Sequence, residues 1–548
     1  MAHLGKLPQA SPQCYPAGVT DQQGKEAFEV RFGTATAEAI PTAKLPPHPT
    51  NGDEQRYPDR SATYTKCLKQ DSPGIVNPQS FHDFRKALGM PGHMGDANFE
   101  VKGLLGLGRP LNGPQGAFAK TLVGADSQNY GAPLVPAAPA LASPEYATEL
   151  VELYWASLLR DVAFADYPGN PTAVAAAKEL SGLAAYAGPR DPSGNVTPEL
   201  LFRGGPSKAF PGYFEGETIG PYVSQFAILA TALGVQPIDQ KLDILASGVD
   251  YMTDLKAWAD VQNGSTPPMV KPVGKAYLYN GRGLASYTHV DELYQAYFIA
   301  YLVLKTLGIE VNPGSPYNPK TGYKQQVAFG TFGGPDIAST LAAVARTAIN
   351  SVWWQKWIVH LRHRPESGGG LVDLLKTKQP NLPAAAKDLS KIILDSQALQ
   401  ESQKKYRSYL LSQAFPEGSP AHPAYPTGHG TVGGACITVL KFFFDGGATI
   451  PAKPGPMVST DGQNRVDYTG PDAGKLTVNG ELHKLAHNIS FGHGIHAGIH
   501  WRSDTETSIQ LGEAVALSYL QDLAHTYNEK FTVKLTKLDG TIATISNQ

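Results

Sequence analysis

Apolar residues recur at intervals of three and four along most of the chain from residue 143 onward, and this spacing constrains the fold more than any other feature. Such a period places the apolar side chains on one face of an α-helix, and that face must pack against other helices. We therefore predict a mainly α fold, a large helical bundle domain made of two packed four-helix-type bundles. The segments with this helical spacing are 149–161, 171–184, 222–234, 242–261, 288–308, 335–357, 384–414 and 506–527.

The chain before this helical part has a different composition. Residues 1–142 are rich in Pro, Gly, Asn and Asp and show no sustained helical period, although some apolar stretches require burial. We interpret them as a mostly irregular segment that wraps around the rest. Ser143, Pro144 and Glu145 then form a typical helix start, with a capping residue, a proline in the first turn and an early acid. This start marks the beginning of the helical domain, residues 143–548.

Smaller signals mark the ends of individual elements. Gly234 and Gly308 follow helical patterns and suit the left-handed conformation that ends many helices. Pro365 is expected to stop the helix that precedes it. At the C-terminus, residues 530–545 alternate between apolar and polar around a central Asp-Gly pair, which predicts a short β-hairpin.

Composition limits the partners of the protein. The 548 residues carry a formal net charge of −2, so no bulk charge favours nucleic acid or an anionic membrane surface. The most apolar run, residues 294–304, is about half as long as a transmembrane helix requires. The N-terminus lacks the features of a secretory signal, which favours a cytoplasmic location. Cys14 and Cys67 can pair within the N-terminal segment, whereas Cys436 lies in an apolar helical pattern.

Residues 423–440 contain the clearest candidate for a chemical site. A proline-rich stretch leads to Thr427, Gly428 and His429, which open an apolar helical pattern. The first N–H groups of a helix have no partner within it and lie at the positive end of the helix dipole, so they favour anions. These residues predict an oxyanion site with a hydroxyl, backbone amides and an imidazole. A cap or packing role is the alternative for the histidine.

A basic cluster precedes this segment in the chain. Lys356, Arg362 and Arg364 lie at the end of a helical pattern, directly before Pro365. Basic residues at a helix C-terminus also complement the helix dipole, so this cluster has a purely structural interpretation as well.

A Gly-rich turn holds His493, His496 and His500, with Asp504 one helical turn later. Three histidines can bind zinc, but the spacing lacks the HExxH pattern and carboxylates at ligand positions. A basic cluster, a Gly-His helix start and a late histidine are instead the groups that hold an oxyanion. Cations compensate its charge, amides and hydroxyls bind its oxygens, one imidazole binds the central atom and another exchanges protons.

These motifs resemble those of the vanadium-dependent haloperoxidases, which share a fold and an anion pocket with a superfamily of acid phosphatases. Lys356, followed after seven residues by Arg364 and a proline, matches the first family motif. The Pro-Thr-Gly-His run that ends at His429 matches the family's Pro-Ser-Gly-His, and His500 matches the vanadium ligand. The resemblance covers roughly residues 145–548, because SLLRDVAFADYPGNP, GPYVSQF and the approach to His429 match as well.

One family residue is missing from this chain. Six residues before the ligand histidine the family has an arginine, and this chain has Gly494. With a one-residue insertion in the turn, His493 takes that position instead. Losing a guanidinium that binds the anion bidentately costs on the order of 1.5–3 kcal/mol per charged hydrogen bond. His493, Arg362 and Arg502 are the candidate substitutes.

The resemblance implies a cofactor and an activity. Vanadate is expected to bind through His500, and His429 to exchange protons with hydrogen peroxide. Lys356 then polarises the peroxide, and a halide is oxidised to hypohalous acid, which halogenates small organic substrates. Asp504 is expected either to orient the His500 ring or to act as an exposed cap. The residues expected to hold the vanadate oxygens are Lys356, Arg364, Thr427 and the Gly428 amide.

Two residues expected at the rim of the anion pocket indicate which halide is oxidised. His422 falls where bromoperoxidases of this family resemble one another in having histidine, and where the fungal chloroperoxidase type has phenylalanine. Trp353 corresponds to a position that is Trp in some subfamilies and Arg in others. The resemblance therefore implies bromide and iodide as substrates and leaves chloride open. Simple packing at the pocket rim is the alternative for both residues.

Two other activities stay open at this point. In the related phosphatases the late histidine attacks phosphorus and the Gly-His histidine protonates the leaving group. The length of the chain and His422 argue against that activity. Gly494 favours the other alternative, a vanadium-independent protein that performs acid/base chemistry on an organic molecule or only binds one. Because long relatives form dimers or larger assemblies, a homo-oligomer is expected.

Overall fold

Helices interrupt the N-terminal segment that the sequence predicted to be mostly irregular. The computed structural model describes residues 21–38, 45–88, 108–205, 212, 214–450 and 456–548. In this part of the chain the elements before residue 143 are α1 (Asp21–Glu38), α2 (Asp53–Arg56), the paired strands β1 (Gln70–Ser72) and β2 (Ile75–Val76), and α3 (Pro78–Leu88). Cys14 lies outside the described residues, so its pairing with Cys67 stays a prediction.

The described chain from residue 143 onward confirms the predicted mainly α fold. Its described α-helices are α4 (Pro144–Leu159), α5 (Pro171–Ser181), α6 (Leu255–Gln262), α7 (Gly281–Tyr287), α8 (Gln295–Thr306), α9 (Gly334–Trp354), α10 (Pro365–Lys376), α11 (Lys391–Leu394), α12 (Gln397–Tyr406), α13 (Gly428–Phe443), α14 (Val478–Phe491) and α15 (Arg502–Ala524). Ser143 caps α4 as its sequence predicts, since its side chain accepts a hydrogen bond from the Tyr146 N–H. Two π-turns, Gln355–His360 and Gly492–His496, extend α9 and α14.

The apolar side chains form two large clusters, as expected for a helical-bundle fold. One cluster is built by α8, α9, α13, α14 and α15. The other surrounds α4 and includes side chains of α5, α10, α11 and α12. Every residue of α13 is buried, so the helix whose first turn carries His429 runs through the interior of its cluster.

Helices α13 and α15 approach each other closely because glycines line their contact. A Cβ atom added to Gly434 would overlap the Ile509 carbonyl oxygen, and one added to Gly512 would overlap the Thr431 carbonyl oxygen. His429 lies in the first turn of α13 and His500 comes directly before α15. This close contact therefore fixes the distance between the two histidines.

The strands of the described chain form short antiparallel pairs. The C-terminal pair, in which Thr536 is opposite Ile542, confirms the predicted hairpin. The strands of the helical domain are β3 (Thr231–Leu233), β4 (Gln236–Ile238), β5 (Leu242–Ile244), β6 (Gly274–Ala276), β7 (Pro456–Val458), β8 (Arg465–Asp467), β9 (Thr532–Thr536) and β10 (Ile542–Ser546).

Three of the predicted helices are wrong in whole or in part. Residues 222–234 form a short 3-10 turn and β3, and Gly234, with φ +61°, lies in the two-residue loop to β4 instead of capping a helix. In 242–261 only the Leu255–Gln262 stretch is helical, and 384–414 breaks into shorter pieces. A short apolar run fits a strand as well as a helix, and a glycine with positive φ serves both kinds of turn.

Pro365 begins a helix and does not stop one. The π-turn after α9 ends at Leu361, which has a left-handed φ of 44°, and Pro365 is the first residue of α10. At this first helical position the N–H of any residue lacks an acceptor within the helix, so proline loses no hydrogen bond there. Helix α14 was not predicted at all, although Val478, Leu482 and Leu485 already have helical spacing.

The N-terminal segment packs directly behind the stretch that carries the predicted basic cluster. The rings of Tyr64 and Phe84 contact Trp357 edge-on, and the Tyr64 N–H donates to the Leu361 carbonyl. This segment thus supports residues 356–364 from one side. Among the helices of the described ranges, none combines the length and apolar character needed to cross a membrane.

Candidate functional site

Three segments that are distant in the sequence meet at the N-terminal end of α13. The π-turn after α9 and the loop that follows it carry Lys356 and Arg364, the start of α13 carries Thr427 and His429, and the turn before α15 carries His500. All five side chains are buried. Arg364 contacts His500 at 2.8 Å, and the His493 ring lies between those of His429 and His500. We call six of the predicted site residues the cradle: Lys356, Arg364, Thr427, Gly428, His429 and His500.

Lys356 supplies a buried positive charge to the cradle. Its ammonium donates to the carbonyl oxygens of Pro423 at 3.0 Å and Ala424 at 2.7 Å. An ammonium carries three protons, so one remains for a ligand beside these partners among the described residues. Burial, followed by repulsion from Arg364, lowers the pKa of Lys356 well below its ordinary value, although Asp504 opposes the shift. A bound anion would favour the charged lysine again.

Arg364 links the cradle to its surroundings through every guanidinium nitrogen. Nε donates to the His422 carbonyl at 3.0 Å, and Nη1 donates to the Ile499 carbonyl at 2.8 Å. Nη1 also lies 2.8 Å from Nε2 of His500, and Nη2 lies 3.0 Å from Nδ1 of His422. A guanidinium only donates, so Nε2 of His500 carries a lone pair. Burial lowers the pKa of Arg364 to about 10.

Thr427 offers a hydroxyl without a partner. Its side chain has no exposed surface and does not cap α13, and Oγ1 has no hydrogen-bond partner among the described residues. Gly428 is the first residue of α13, so its N–H also has no acceptor within the helix. An unpaired buried hydroxyl costs free energy unless a ligand satisfies it. The start of α13 therefore has the donors that an oxyanion requires.

His500 is held in a single tautomer by its neighbours. Its Nδ1 lies 2.8 Å from Oδ2 of Asp504, and since a carboxylate accepts, Nδ1 carries the proton. The same oxygen accepts from the Trp501 N–H at 3.1 Å. Asp504 therefore both orients the ring and caps α15, but it is fully buried and not exposed as the alternative expected. The imidazole therefore presents its Nε2 lone pair to the cradle, which is the state that a metal ligand requires.

A buried ion pair continues this chain of contacts. Arg362 donates from Nη1 to Oδ1 of Asp504 at 2.6 Å and from Nη2 to Glu149 at 3.0 Å. Arg362 is therefore engaged in holding Asp504, and it is not free to replace the missing family arginine. Arg502 is likewise ion-paired, with Glu152 and Glu506. Of the three candidate substitutes, the structure leaves His493.

His429 has an acidic partner that sequence reasoning missed. Its Nε2 lies 2.9 Å from Oδ1 of Asp291, in the loop between α7 and α8. The Asp291 side chain is 4% exposed, and its other oxygen has no hydrogen-bond partner within the described part of the chain. Nothing in the sequence marks this aspartate, because it belongs to a polar stretch 138 residues away from His429. The pair makes His429 suitable for acid/base chemistry.

The π-turn before His500 inserts one residue close to the position at which the family has an arginine. The Ala497 N–H donates to the Gly492 carbonyl five residues earlier, so this turn contains one residue more than an α-helical turn. A Cβ atom on Gly494 would lie 3.1 Å from Cβ of His500. The His493 ring instead stacks on His429 at 3.8 Å and lies 5.7 Å from the His500 ring. His493 is thus the residue that faces the anion site.

Trp353 and His422 lie side by side at the rim, with ring centroids 4.7 Å apart. The Trp353 Nε1–H donates to the Asn112 carbonyl, and the ring lies 6.0 Å from the Lys356 ammonium. Burial, then Arg364 and Lys356, lowers the pKa of His422 well below its ordinary value. The predicted rim residues are therefore in contact with the cradle, and His422 is neutral there.

The arrangement suits an oxyanion and not a cation. Two cationic side chains, a free hydroxyl and a helix N-terminus converge on one side of a histidine lone pair. No group of three or more His, Cys, Asp or Glu residues in the described ranges has the arrangement of a metal-ion site. His496 is hydrogen-bonded to the Tyr222 hydroxyl, so His493, His496 and His500 do not form the three-histidine zinc site considered above. The donor set fits vanadate or phosphate.

The sequence and the fold are similar to those of known proteins. Residues 393–529 match the family described as the VCPO second helical-bundle domain. The chain is 31% identical to a vanadium-dependent bromoperoxidase from Corallina pilulifera, over 96% of this chain and 99% of that protein. The same identity holds for a vanadium-dependent bromoperoxidase from Ascophyllum nodosum, over 95% of this chain and 92% of that protein.

A solved structure is similar over the whole length. The fold matches the homohexameric structure of the second vanadate-dependent bromoperoxidase from Ascophyllum nodosum with a TM-score of 0.83 and 27% identity. The match covers 100% of this chain and 94% of that one. The similarity therefore includes the N-terminal segment as well as the helical bundles.

Proposed function

The chain belongs to the vanadium-dependent bromoperoxidase family, and we propose that it is a vanadate-dependent haloperoxidase that oxidises bromide or iodide with hydrogen peroxide. The product is hypohalous acid, which halogenates small organic molecules. The observation that supports this most directly is the tautomer of His500. Its Nδ1–H is held by Asp504, and its Nε2 lone pair is directed into a cradle of donors and positive charge.

The anion is held by charge and by hydrogen bonds. Lys356 and Arg364 supply two positive charges whose pKa values burial has lowered, so an anion in the cradle relieves an unfavourable state of the protein. Thr427 and the first N–H groups of α13 donate to its oxygens. His500 binds the central atom through Nε2. When bound, vanadate supplies a Lewis-acidic centre that activates hydrogen peroxide without a change of its own oxidation state.

Protons move through His429 in this proposal. Asp291 accepts the Nε2–H of that ring, which leaves Nδ1 as the atom that takes a proton from hydrogen peroxide. The Asp291 carboxylate keeps the ring in place by this hydrogen bond, and the ring returns the proton as water leaves. One hydrogen peroxide, one bromide ion and one proton give one hypobromous acid and one water, because bromide transfers two electrons to the peroxide.

Bromide and iodide are the proposed halides. The supporting contact is that of His422 with Trp353 at the rim of the cradle, where a halide would approach. Both ions give up electrons more readily than chloride. Replacement of His422 by phenylalanine, with the bromide-to-chloride ratio of kcat/KM as the measurement, tests this part separately.

We also propose that the chain forms a homo-oligomer, since a relative of the same fold is homohexameric. Val327 and Phe329, in the segment before α9, are 85% and 75% exposed, and a subunit contact would cover such residues. Light scattering after size-exclusion chromatography measures the mass directly. A monomer at micromolar concentration would contradict this proposal.

The activity is tested on purified protein stripped of metals. We expect bromination of an activated diketone in the presence of hydrogen peroxide and bromide only after incubation with vanadate. Phosphate release from an aryl phosphate, without bromination, would assign the protein to the phosphatase activity instead. If both reactions are absent although vanadate binds, a vanadium-independent role is the better explanation.

A further inference from the structure

A cavity of about 330 Å³ lies between the N-terminal segment and residues 354–362. Six of the residues that line it have a buried side-chain nitrogen or oxygen without a hydrogen-bond partner among the described residues. These atoms are Nδ1 of His48, Oδ1 of Asp53, Oγ1 of Thr63, Nε1 of Trp354, Nε2 of His360 and Nε of Arg362. Four of the six residues are at most 8% exposed. Buried polar groups in proteins are nearly always paired, so this concentration of unpaired atoms indicates a site for a polar molecule.

Three of these side chains are close to one another. Thr63 and Arg362 are joined by an antiparallel backbone bridge. Burial raises the pKa of Asp53, whereas the charge of Arg362 opposes this shift, so the carboxylate and the guanidinium are near each other. The two Nη atoms of Arg362 donate to Asp504 and Glu149, which leaves Nε as the guanidinium nitrogen without an acceptor.

The unpaired atoms include both donors and acceptors. Nε1 of Trp354 and Nε of Arg362 only donate, and the Asp53 carboxylate only accepts. His48 donates from Nε2 to a backbone carbonyl at 3.2 Å, and because burial lowers the pKa of its ring, Nδ1 has a lone pair. The Thr63 hydroxyl both donates and accepts. A ligand that satisfies this set must therefore offer donors and acceptors together.

This mixture does not fit a simple ion. An anion would meet one guanidinium and three carboxylates, because Asp53, Glu149 and Asp504 all lie near Arg362. A metal cation would meet N–H donors, and no group of three or more His, Cys, Asp or Glu residues in the described ranges is arranged to bind one. A hydroxyl group is neutral and both donates and accepts, so several hydroxyls on one molecule match the site.

We propose that this cavity binds a small neutral molecule with several hydroxyl groups, of the size of a monosaccharide or a cyclic polyol. The volume lies within the range of small-molecule sites. Ile358 and Val359 also line the cavity and supply apolar surface for the carbon ring of such a ligand. None of the cradle residues is among those that line it, so the site is separate from the proposed vanadate site and does not depend on halide oxidation.

Glucose and myo-inositol are the probes for this site. Saturation-transfer NMR and calorimetry measure their binding to the full chain without vanadate, because free vanadate forms esters with polyols. We expect at least one of them to bind with a dissociation constant of about 1 mM or lower. Glucuronate adds a negative charge and cyclohexanol has a single hydroxyl, so both should bind at least about tenfold more weakly.

Two variants assign the binding to this cavity. Thr63→Val removes the hydroxyl, and Trp354→Phe removes the indole N–H but keeps an aromatic ring, so each should weaken binding at least about fivefold. Thr148→Val and Trp357→Phe are the matched controls. They remove the same groups, also buried without a partner, from residues that do not line the cavity, and they should leave the affinity unchanged.

Each variant removes a group without a partner, so folding should be retained, and the melting temperature checks this. If one cavity variant does not fold, the other decides. Absence of binding by both probes would overturn the proposal, because the cavity would then hold water only. An unchanged affinity in a folded cavity variant, an equal loss in its control, or tighter binding of glucuronate than of glucose would also overturn it.

Discussion

Nη1 of Arg364 lies 2.8 Å from Nε2 of His500 in this structure. The guanidinium therefore covers the nitrogen that the proposed function assigns to the anion. An anion that attaches to Nε2 must replace this contact, and Arg364 then donates to an anion oxygen instead. Arg364 is therefore a donor to the site both in the present contact and in the proposed complex.

Replacement of His500 by alanine is expected to abolish vanadate binding and bromination. The side chain is fully buried, and its Nε2 is the attachment point in the proposed site. Equilibrium dialysis with metal analysis measures binding independently of activity. His525→Ala is the matched control, because this histidine is exposed after α15. Vanadate binding that persists in His500→Ala would refute the ligand assignment.

Replacement of Asp504 by asparagine is expected to lower vanadate affinity by about 10–100-fold, as for partners that orient a metal ligand. Asp504 accepts the His500 Nδ1 proton, and it also pairs with Arg362. An amide in its place can donate to Nδ1 and favour the wrong tautomer. The exposed Asp243 on β5, changed to asparagine, is the control. An affinity equal to the wild type would mean that Asp504 has no orienting role.

Thr427→Val is expected to change affinity and stability in opposite directions. Oγ1 is buried without a partner, so a methyl group in its place should stabilise the anion-free protein by about 1 kcal/mol. The same change should weaken phosphate binding about tenfold, because a hydrogen bond to the anion is lost. Urea unfolding and calorimetry measure the two effects, and Thr427→Ser should retain wild-type affinity. A loss of both stability and affinity would indicate a packing role instead.

Gly494→Arg is not expected to restore the family arginine. A side chain at this position begins 3.1 Å from Cβ of His500 and 3.7 Å from the Thr505 hydroxyl, so His500 must shift by a few tenths of an ångström to admit it. We expect a loss of vanadate affinity and a lower melting temperature. In the control, Gly169→Ala, the added Cβ atom has no neighbour within 4 Å, and the melting temperature should be nearly unchanged. Increased vanadate affinity in Gly494→Arg would show that the guanidinium reaches the cradle.

His487 makes stability depend on pH at a site outside the cradle. Burial opposes the charged ring, but the carboxylates of Glu217 and Glu506 raise the pKa of His487 to about 10. The folded pKa is above the unfolded value of about 6.5, so this contribution to stability is complete below about pH 6.5 and is lost as the pH rises through about 10. The free energy of unfolding in urea should therefore fall across that range. His487→Gln should show a shallower decline, and an equal decline would exclude this histidine as the cause.

The sequence by itself determined the fold class and led to a prediction of the site residues. Helical spacing after residue 143 is sufficient for a mainly α fold, because the period is a local property of the chain. The resemblance to family motifs led to the prediction of Lys356, Arg364, His429 and His500, and all four side chains are buried in the structure. The helices predicted at 222–234 and 242–261 failed because short apolar runs also form strands, and the choice between them depends on distant partners.

Only the tertiary structure decided which groups those residues meet. The pairing of His429 with Asp291, and of His493 with the Thr288 carbonyl, joins residues more than a hundred positions apart. The turn that contains the extra residue places the His493 ring in stacking contact with His429. The spacing of residues in a sequence predicts which side chains share one face of a helix. It does not specify their tautomers or charges, because those depend on burial and on neighbours that only packing brings together.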